Sequence, residues 1–280
     1  MTITKYAAAT MVALFSTSAV ADVTIGGDFE WSYQDNDGAS STVVDADVNI
    51  KPSITTDTGL TVSADFNINQ DGGDDGGNSL TIKNDAMALD LGDVNSALDA
   101  IDDKTDWGYV LTNGSPSVDH AAILTFTPLI GLKVNASYAT GDDYGTNAGE
   151  GYALSGSYAV GGIATVGAGK MYNADDSEAV IMNVTGSVGP IGLAAERYTA
   201  TTTASVDTDT TTLGATYTMG SVTLGVETMK EESAGSVSSD EITWGIQQTV
   251  IPGLVAFAEM TSDDKTASEK TTAFGIAMKF

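Results

Sequence analysis

The sequence predicts an all-β protein, a 16-stranded antiparallel transmembrane β-barrel with one long loop folded inward. Apolar and polar residues alternate with a period of two along almost the whole chain, which is typical of strands with one apolar face. In the second half, runs that open with glycine and then alternate recur about every 30 residues, a period that fits one β-hairpin. Only residues 93–118 form a long stretch without this alternation.

The composition fits one large exported domain. The chain has 280 residues, no cysteine, 31 glycines and 42% apolar residues, a poor basis for a conventional close-packed core. Its formal net charge is −27. Such an acidic surface repels nucleic acid and attracts cations, so the charge excludes nucleic-acid binding.

Residues 1–21 have the pattern of a secretory signal peptide. Lys5 supplies a positive start, an apolar run follows, and Ala19 and Ala21 form an A-x-A cleavage site. We therefore expect residues 22–280 to be the exported barrel. No later run reaches the roughly 18 consecutive apolar residues of a membrane helix, which excludes a helical membrane protein.

The repeat sets the number of strands. Further strand starts are expected at residue 22 and near residue 86, which together with the glycine openings gives eight ascending strands and sixteen in all. The glycines that open these runs are Gly59, Gly131, Gly162, Gly192, Gly220 and Gly253.

The connections between the predicted strands alternate between short turns and longer, acidic loops. Four prolines, Pro52, Pro128, Pro190 and Pro252, are expected at short turns before ascending strands, where no ladder donor is needed. The other connections are expected to be longer and acidic, among them DNDGAS, DGGDDGGN, GDDYGTNAG, EESAGSVS and SDDKTASE. This asymmetry predicts a periplasmic side with short turns and an external side with long loops.

One face of the predicted strands is too polar for a dry core. Charged groups are costly to bury, and sixteen strands enclose a water-filled channel, so this face is expected to line a pore. The strand phase leaves the orientations of Lys170 and Arg197 open. The residues expected on the pore wall are Asp45, Asp47, Lys51, Asp65, Lys83, Asp90 and Lys133.

The stretch at residues 93–118 is expected to fold into the barrel. Ser96 and Asp99 have the spacing of a capping box, and Leu98 and Ile101 have helical spacing, so a short helix is predicted near residues 96–103. Loops longer than about 12 to 15 residues are usually functional or disordered. The charged residues of this stretch are Asp93, Asp99, Asp102, Asp103 and Asp106, against Lys104.

The final strand, KTTAFGIAMKF, places Phe274, Ile276, Met278 and Phe280 on one face. A terminal phenylalanine on an alternating strand resembles the signal that the outer-membrane assembly machinery reads during insertion. This motif separates a membrane barrel from an ordinary β-rich secreted domain.

Residues 22–280 resemble the general bacterial porins of the Gram-negative outer membrane, particularly the alphaproteobacterial ones. The segment MALDLGDVNSALDAIDD is similar to the place where those porins enter their inward-folded third external loop, which forms the pore constriction. The resemblance implies that the acidic residues of 93–118 lie at the constriction, and it implies a homotrimer. Porins usually carry a basic cluster opposite this loop, and the few wall lysines here favour a cation-preferring pore.

The function expected is passive diffusion of small hydrophilic solutes and ions through the outer membrane, with weak cation selectivity. The expected partners are outer-membrane lipid, lipopolysaccharide and the assembly machinery. No enzyme or cofactor is expected, and His120 alone cannot form a histidine metal site, although the acidic external loops could hold Ca²⁺ loosely. The alternative is a secreted acidic β-rich surface adhesin or surface-layer protein.

Overall fold

A computed structural model describes residues 20–69, 78–101, 119–139, 151–173, 176–201, 206–264 and 270–280. The described residues form sixteen antiparallel strands in one closed barrel, in which each strand pairs with its neighbours in the sequence. The all-β, 16-stranded barrel predicted from the sequence is therefore confirmed. In these ranges no helix is long and apolar enough to cross a membrane, a finding that bears on helices only.

The strands have the following bounds. They are β1 (Val20–Asn36), β2 (Ala39–Thr55), β3 (Thr61–Asn69), β4 (Ser79–Lys83), β5 (Met87–Asn95), β6 (Asp119–Leu129), β7 (Leu132–Ala139), β8 (Gly151–Val160), β9 (Ala164–Asn173), β10 (Glu178–Val188), β11 (Ile191–Thr201), β12 (Asp207–Met219), β13 (Val222–Ser233), β14 (Ser236–Ile251), β15 (Leu254–Asp263) and β16 (Lys270–Lys279).

The first and last strands close the barrel. Their register runs from Asp28 opposite Lys279 to Asn36 opposite Thr271. The terminal residue extends this pairing, because Phe280 and Gly27 exchange two backbone hydrogen bonds of 3.0 Å each. Closure leaves no strand edge without a partner along this seam, and such an edge is costly in lipid, where no water satisfies backbone groups.

Each strand has an apolar face and a polar or small-residue face. In β8, Tyr152 and Leu154 are exposed, whereas Ala153 and Ser155 between them are buried. The same alternation continues around the barrel, so the exposed apolar side chains form one continuous outer surface. This surface is the one that suits lipid, and the opposite face is the inner wall.

The predicted repeat corresponds to the odd-numbered strands. β7 begins directly after Gly131 and β15 directly after Gly253, and both glycines have positive φ, +83° and +84°. Glycine adopts this backbone conformation without steric cost, which explains its place at the end of these two turns. The eight predicted ascending strands all occur.

Two of the predicted long loops are tight turns instead. β1 and β2 are joined by Asp37 and Gly38 alone, with φ of +48° and +86°, and β13 and β14 by Ala234 and Gly235, with φ of +50° and +77°. Positive φ at both central residues is typical of the type I′ hairpin, whose twist matches that of the strands. DNDGAS and EESAGSVS therefore contribute mostly to strands.

Two of the four prolines predicted at turns lie in strands. Pro190 and Pro252 are in short turns as predicted, but Pro52 lies in β2 and Pro128 in β6. Proline has no backbone donor, and the ladder adapts at both positions. The pairing of β2 with β3 runs to Ile50 and resumes at Ser53, while that of β6 with β7 shifts register after Phe126.

Candidate functional site

The predicted wall residues of β2 to β5 share the face opposite the exposed apolar side chains. Lys51 Nζ lies 2.7 Å from Asp65 Oδ2, which joins β2 to β3. Asp90 accepts a short hydrogen bond from the hydroxyl of Thr81 on the neighbouring strand. These contacts place Lys51, Asp65 and Asp90 on the inner wall.

The remaining predicted wall residues occupy the same face. Asp45 and Asp47 on β2 lie opposite Glu30 and Asp28 on β1, so four carboxylates are concentrated on one hairpin. Lys83 and Lys133 are exposed at the turn ends of β4 and β7. The role of all these residues in conduction stays a prediction.

Sequence reasoning missed a second group of carboxylates on the inner face of the other half of the barrel. Glu227 and Glu259 are the most deeply buried, with 1% and 2% of their surface exposed. The alternation of the predicted strands was the signal that could have identified them, since each is flanked by outward-facing neighbours. The group comprises Glu196, Glu227, Glu259 and Asp263.

Lys170 and Arg197, whose orientations the sequence left open, both lie on the outer face. Lys170 Nζ lies 2.7 Å from Glu178 Oε2 and 4.4 Å from the centroid of the Tyr172 ring. Arg197 Nη2 lies 3.2 Å from Asp209 Oδ1. In the described part of the chain the inner wall therefore has few cations, which are Lys51, Lys83, Lys133 and Lys279.

The described start of the 93–118 stretch is an ordered turn. The predicted capping box is confirmed, since Ser96 N–H donates to Asp99 Oδ2 at 2.8 Å and Asp99 N–H donates to Ser96 Oγ at 3.3 Å. The predicted helix is wrong for residues 96–101, which form a turn closed by a 2.9 Å bond from Ile101 N–H to the Leu98 carbonyl. This bond reaches back three residues, whereas an α-helix needs bonds to the residue four back.

This turn is anchored to the barrel wall by an apolar cluster. Leu98 and Ile101 are almost completely buried, with 4% and 1% of their surface exposed. Ile123 on β6 and Tyr198 on β11 pack against the cluster from either side. The cluster itself consists of Ala97, Leu98, Ile101, Ala153, Met171, Ala179 and Ile181.

Polar contacts and small residues fix the position of the turn. Ala97 N–H donates to Ser137 Oγ at 2.7 Å, and the Asn183 side-chain amide donates a short hydrogen bond to the Ile101 carbonyl. Gly169 leaves the space that Ile101 fills, because a Cβ there would lie 3.2 Å from Ile101 Cδ1 and 2.8 Å from Ser155 Cβ.

The contacts identify the surface on which the turn lies. Six residues, 96–101, reach partners on the adjacent strands β6 to β11, an arc of roughly 25 Å at about 4.8 Å per strand. Such a short segment can touch so many strands only from the concave side. Asp99 is half-buried in this turn, and Asp93 lies in β5. Asp102, Asp103, Lys104 and Asp106 lie outside the described residues, so the inward fold of the whole loop stays a prediction.

The terminal strand places three of the four predicted assembly residues on the outer surface. Phe274, Ile276 and Met278 are exposed at alternating positions of β16, and the Phe274 ring lies 5.2 Å from that of Tyr33. Phe280 follows at the seam with β1 and is 65% exposed. Recognition of this strand by the assembly machinery stays a prediction, as does cleavage after Ala21, whose backbone continues β1.

A closed barrel with an apolar exterior, a charged inner wall and a segment docked on that wall has the architecture of a membrane channel. Within the described ranges, no group of three or more His, Asp or Glu residues could hold a metal ion. The sequence model of the Gram-negative porin family matches residues 8–279, and the chain belongs to this family. It is therefore a channel protein of the outer membrane, as the resemblance implied.

Solved structures with the same fold are distant in sequence. A porin refined at 1.8 Å resolution is 18% identical with a TM-score of 0.74, over 92% of this chain and all of that one. A loop-deleted OmpT, an outer membrane protein of Vibrio cholerae, is 14% identical with a TM-score of 0.74, over 93% and 99% of the two chains.

A triple mutant of Rhodopseudomonas blastica porin is 14% identical with a TM-score of 0.71, over 92% of this chain and all of that one. No curated protein sequence matches the chain. The family match gives no support to the alternative of a secreted adhesin or surface-layer protein.

Proposed function

We propose that this porin is a weakly cation-selective pore for passive diffusion of small hydrophilic solutes and ions, with residues 93–118 as its constriction. The observation that carries the proposal is the docking of residues 96–101 on the concave wall. A loop that enters the barrel at this point narrows the channel next to Asp99 and the acidic residues that follow it.

The fixed charge of the protein determines whether the pore prefers cations or anions. The chain has 38 acidic and 11 basic residues, and the inner wall carries carboxylates on both halves of the barrel. At about 0.1 M salt the screening length is roughly 10 Å, comparable to a porin constriction, so fixed carboxylates there act on every passing ion. The net field favours cations.

The proposal also covers the assembled protein. We infer a homotrimer, processing of residues 1–21 during export, and insertion directed by the β16 terminus through the assembly machinery. The acidic external loops interact with neighbouring lipopolysaccharide and could hold Ca²⁺ loosely. Chemical cross-linking and the N-terminal mass of the protein isolated from outer membranes test the first two inferences.

The decisive experiment is single-channel recording of the refolded protein, residues 22–280, in a planar bilayer under a KCl gradient. Stepwise conductance with a reversal potential on the K⁺ side supports the proposal. A reversal potential on the Cl⁻ side overturns the proposed cation selectivity, but it is still consistent with a diffusion pore. Insertion without current overturns the diffusion pore itself.

A further inference from the structure

The lysines and the arginine of the barrel are sorted along its axis. The turn end is the end at which the odd-numbered strands begin, and the loop end is the opposite one. In the described ranges, every cation in the half near the turn end faces the lumen, and every cation in the half near the loop end faces outward. The first set is Lys51, Lys83, Lys133 and Lys279, and the second set is Lys170, Arg197, Lys230 and Lys270.

The lumen wall near the loop end carries carboxylates. Glu241 and Asp263 lie opposite each other on β14 and β15, and the Ser239 hydroxyl lies 2.9 Å from Glu241 Oε1 and 3.3 Å from Asp263 Oδ2. Glu30 and Asp45 lie opposite each other on β1 and β2. Since the described cations of this half all face outward, the loop end of the lumen is strongly negative.

The lumen wall near the turn end carries charges of both signs. Lys51 is paired with Asp65 at 2.7 Å, and Lys279 lies opposite Asp28 across the seam of the barrel. The other charged side chains exposed at this end are Lys83, Lys133, Asp22, Asp57 and Asp85. The fixed charge of the lumen is therefore much less negative at the turn end than at the loop end.

We propose that the pore selects cations at its loop end, while the turn-end lysines admit anions from the periplasmic side, so that ion conduction depends on direction. The inference rests on the proposed diffusion pore. At about 0.1 M salt the screening length is roughly 10 Å, well below the roughly 25 Å height of the apolar band of a membrane barrel, so ions at each mouth respond to the charges of that mouth. With the loop side positive, cations enter where they are concentrated and anions enter where they are admitted, and the current is larger.

The test measures the reversal potential of the refolded porin, residues 22–280, under the same KCl gradient in both directions, about 0.1 M against about 1 M. With the dilute solution at the loop end, the carboxylates there are poorly screened and the cation preference is strong. With the dilute solution at the turn end, charges of both signs act and the preference is weak. We expect permeability ratios that differ about twofold between the two directions, because the screening length changes about threefold.

The orientation of each channel is assigned with a single cysteine, since the chain has none of its own. Asp264 is exposed in the connection between β15 and β16 at the loop end. Biotin on Asp264→Cys binds streptavidin from one chamber only, and that chamber holds the loop end.

The deciding variant combines Lys83→Gln, Lys133→Gln and Lys279→Gln, which leaves Lys51 in its pair with Asp65. The turn end then becomes acidic as well, so the weaker cation preference should rise to meet the stronger one. The matched control combines Lys170→Gln, Lys230→Gln and Lys270→Gln, three outward-facing lysines with the same change in net charge. The control should keep the difference between the two gradient directions.

The outcomes separate this inference from the proposed function. Equal cation-sided potentials in both directions for the wild type overturn the axial arrangement and leave the cation-selective pore. A difference that persists in the turn-end variant, or that disappears in the control as well, overturns the role of the lysines. Absence of current, or anion-sided potentials in both directions, overturns the proposed function itself.

Discussion

Ile101 is the residue on which the docking of the constriction segment depends most. Its side chain is 1% exposed, and truncation of a buried isoleucine costs about 2 to 5 kcal/mol where the cavity cannot collapse. We expect Ile101→Ala to release residues 96–101 from the wall and to leave the barrel closed. Single-channel recording should then give a larger and noisier conductance, with unchanged heat-modifiable mobility on gels.

Ile163→Ala is the control for this variant, because Ile163 is an exposed isoleucine in the short turn between β8 and β9. It should leave the conductance at the wild-type value. Wild-type conductance in Ile101→Ala as well would mean that residues 96–101 do not set the width of the pore.

A second prediction for a single residue concerns Gly38. With φ of +86° it sits in the left-handed region, which costs other residues roughly 1 to 2 kcal/mol. Gly38→Ala should therefore lower the urea midpoint of the refolded barrel in micelles, followed by tryptophan fluorescence. Gly156→Ala, at a strand position where a Cβ meets nothing nearer than 3.4 Å, should not. Equal midpoints for the two variants would contradict the strain argument.

Side-chain orientation was predictable wherever the strand phase was unambiguous. Asp65 and Asp90 were placed correctly on the polar face, because a clear apolar alternation surrounds them. The orientation of Arg197 was left open, because its strand includes two consecutive alanines that suit either face. Glu227 was overlooked although its phase is clear, and only the structure shows how deeply it is buried.

At the scale of an element, β16 offers a test that separates assembly from stability. Phe280 keeps its backbone bonds to Gly27 when its ring is removed, and the ring is 65% exposed. We therefore expect Phe280→Ala to refold in micelles as the wild type does, and to reach the outer membrane in much smaller amounts in cells. Gel mobility of membrane fractions measures the second effect.

Phe126→Ala is the matched control for β16, since Phe126 is an exposed outward aromatic of β6. It should reach the membrane normally. If Phe280→Ala failed to refold in micelles too, the ring would be needed for closure of the seam, and the assembly signal would lose its support.

The number of hairpins and the order of the strands could be predicted from the period of the sequence repeat. The lengths of the connections between strands could not. A run such as DNDG reads as a loop by its polarity, yet its Asp-Gly pair is a strong signal for a two-residue turn. Pro52 was expected to end β2, but its missing donor interrupts the pairing with β3 only at residues 51 and 52, and the pairing resumes at Ser53. The docked turn at residues 96–101 depends on Gly169 and Asn183, far along the chain, which no local pattern could reveal.

At the scale of the whole molecule, closure converts a sheet with one polar face into a channel with a charged wall. The net charge of that wall is negative, because in the described ranges the inner face has carboxylates on both halves of the barrel and few lysines. The place where the charge acts follows from the docked turn. Selectivity is therefore expected to depend on the acidic residues of the constriction more than on the net charge.

Replacing Asp99, Asp102 and Asp103 with asparagine tests this dependence. The reversal potential under a KCl gradient should move towards zero at about 0.1 M salt, where the screening length is roughly 10 Å. In the wild type the cation preference should itself fade near 1 M, where that length is about 3 Å. The control neutralises exposed residues of three other connections, Asp85, Asp176 and Asp264, with the same change in net charge. An equal shift in this control would mean that the overall charge, and not the constriction, selects the ion.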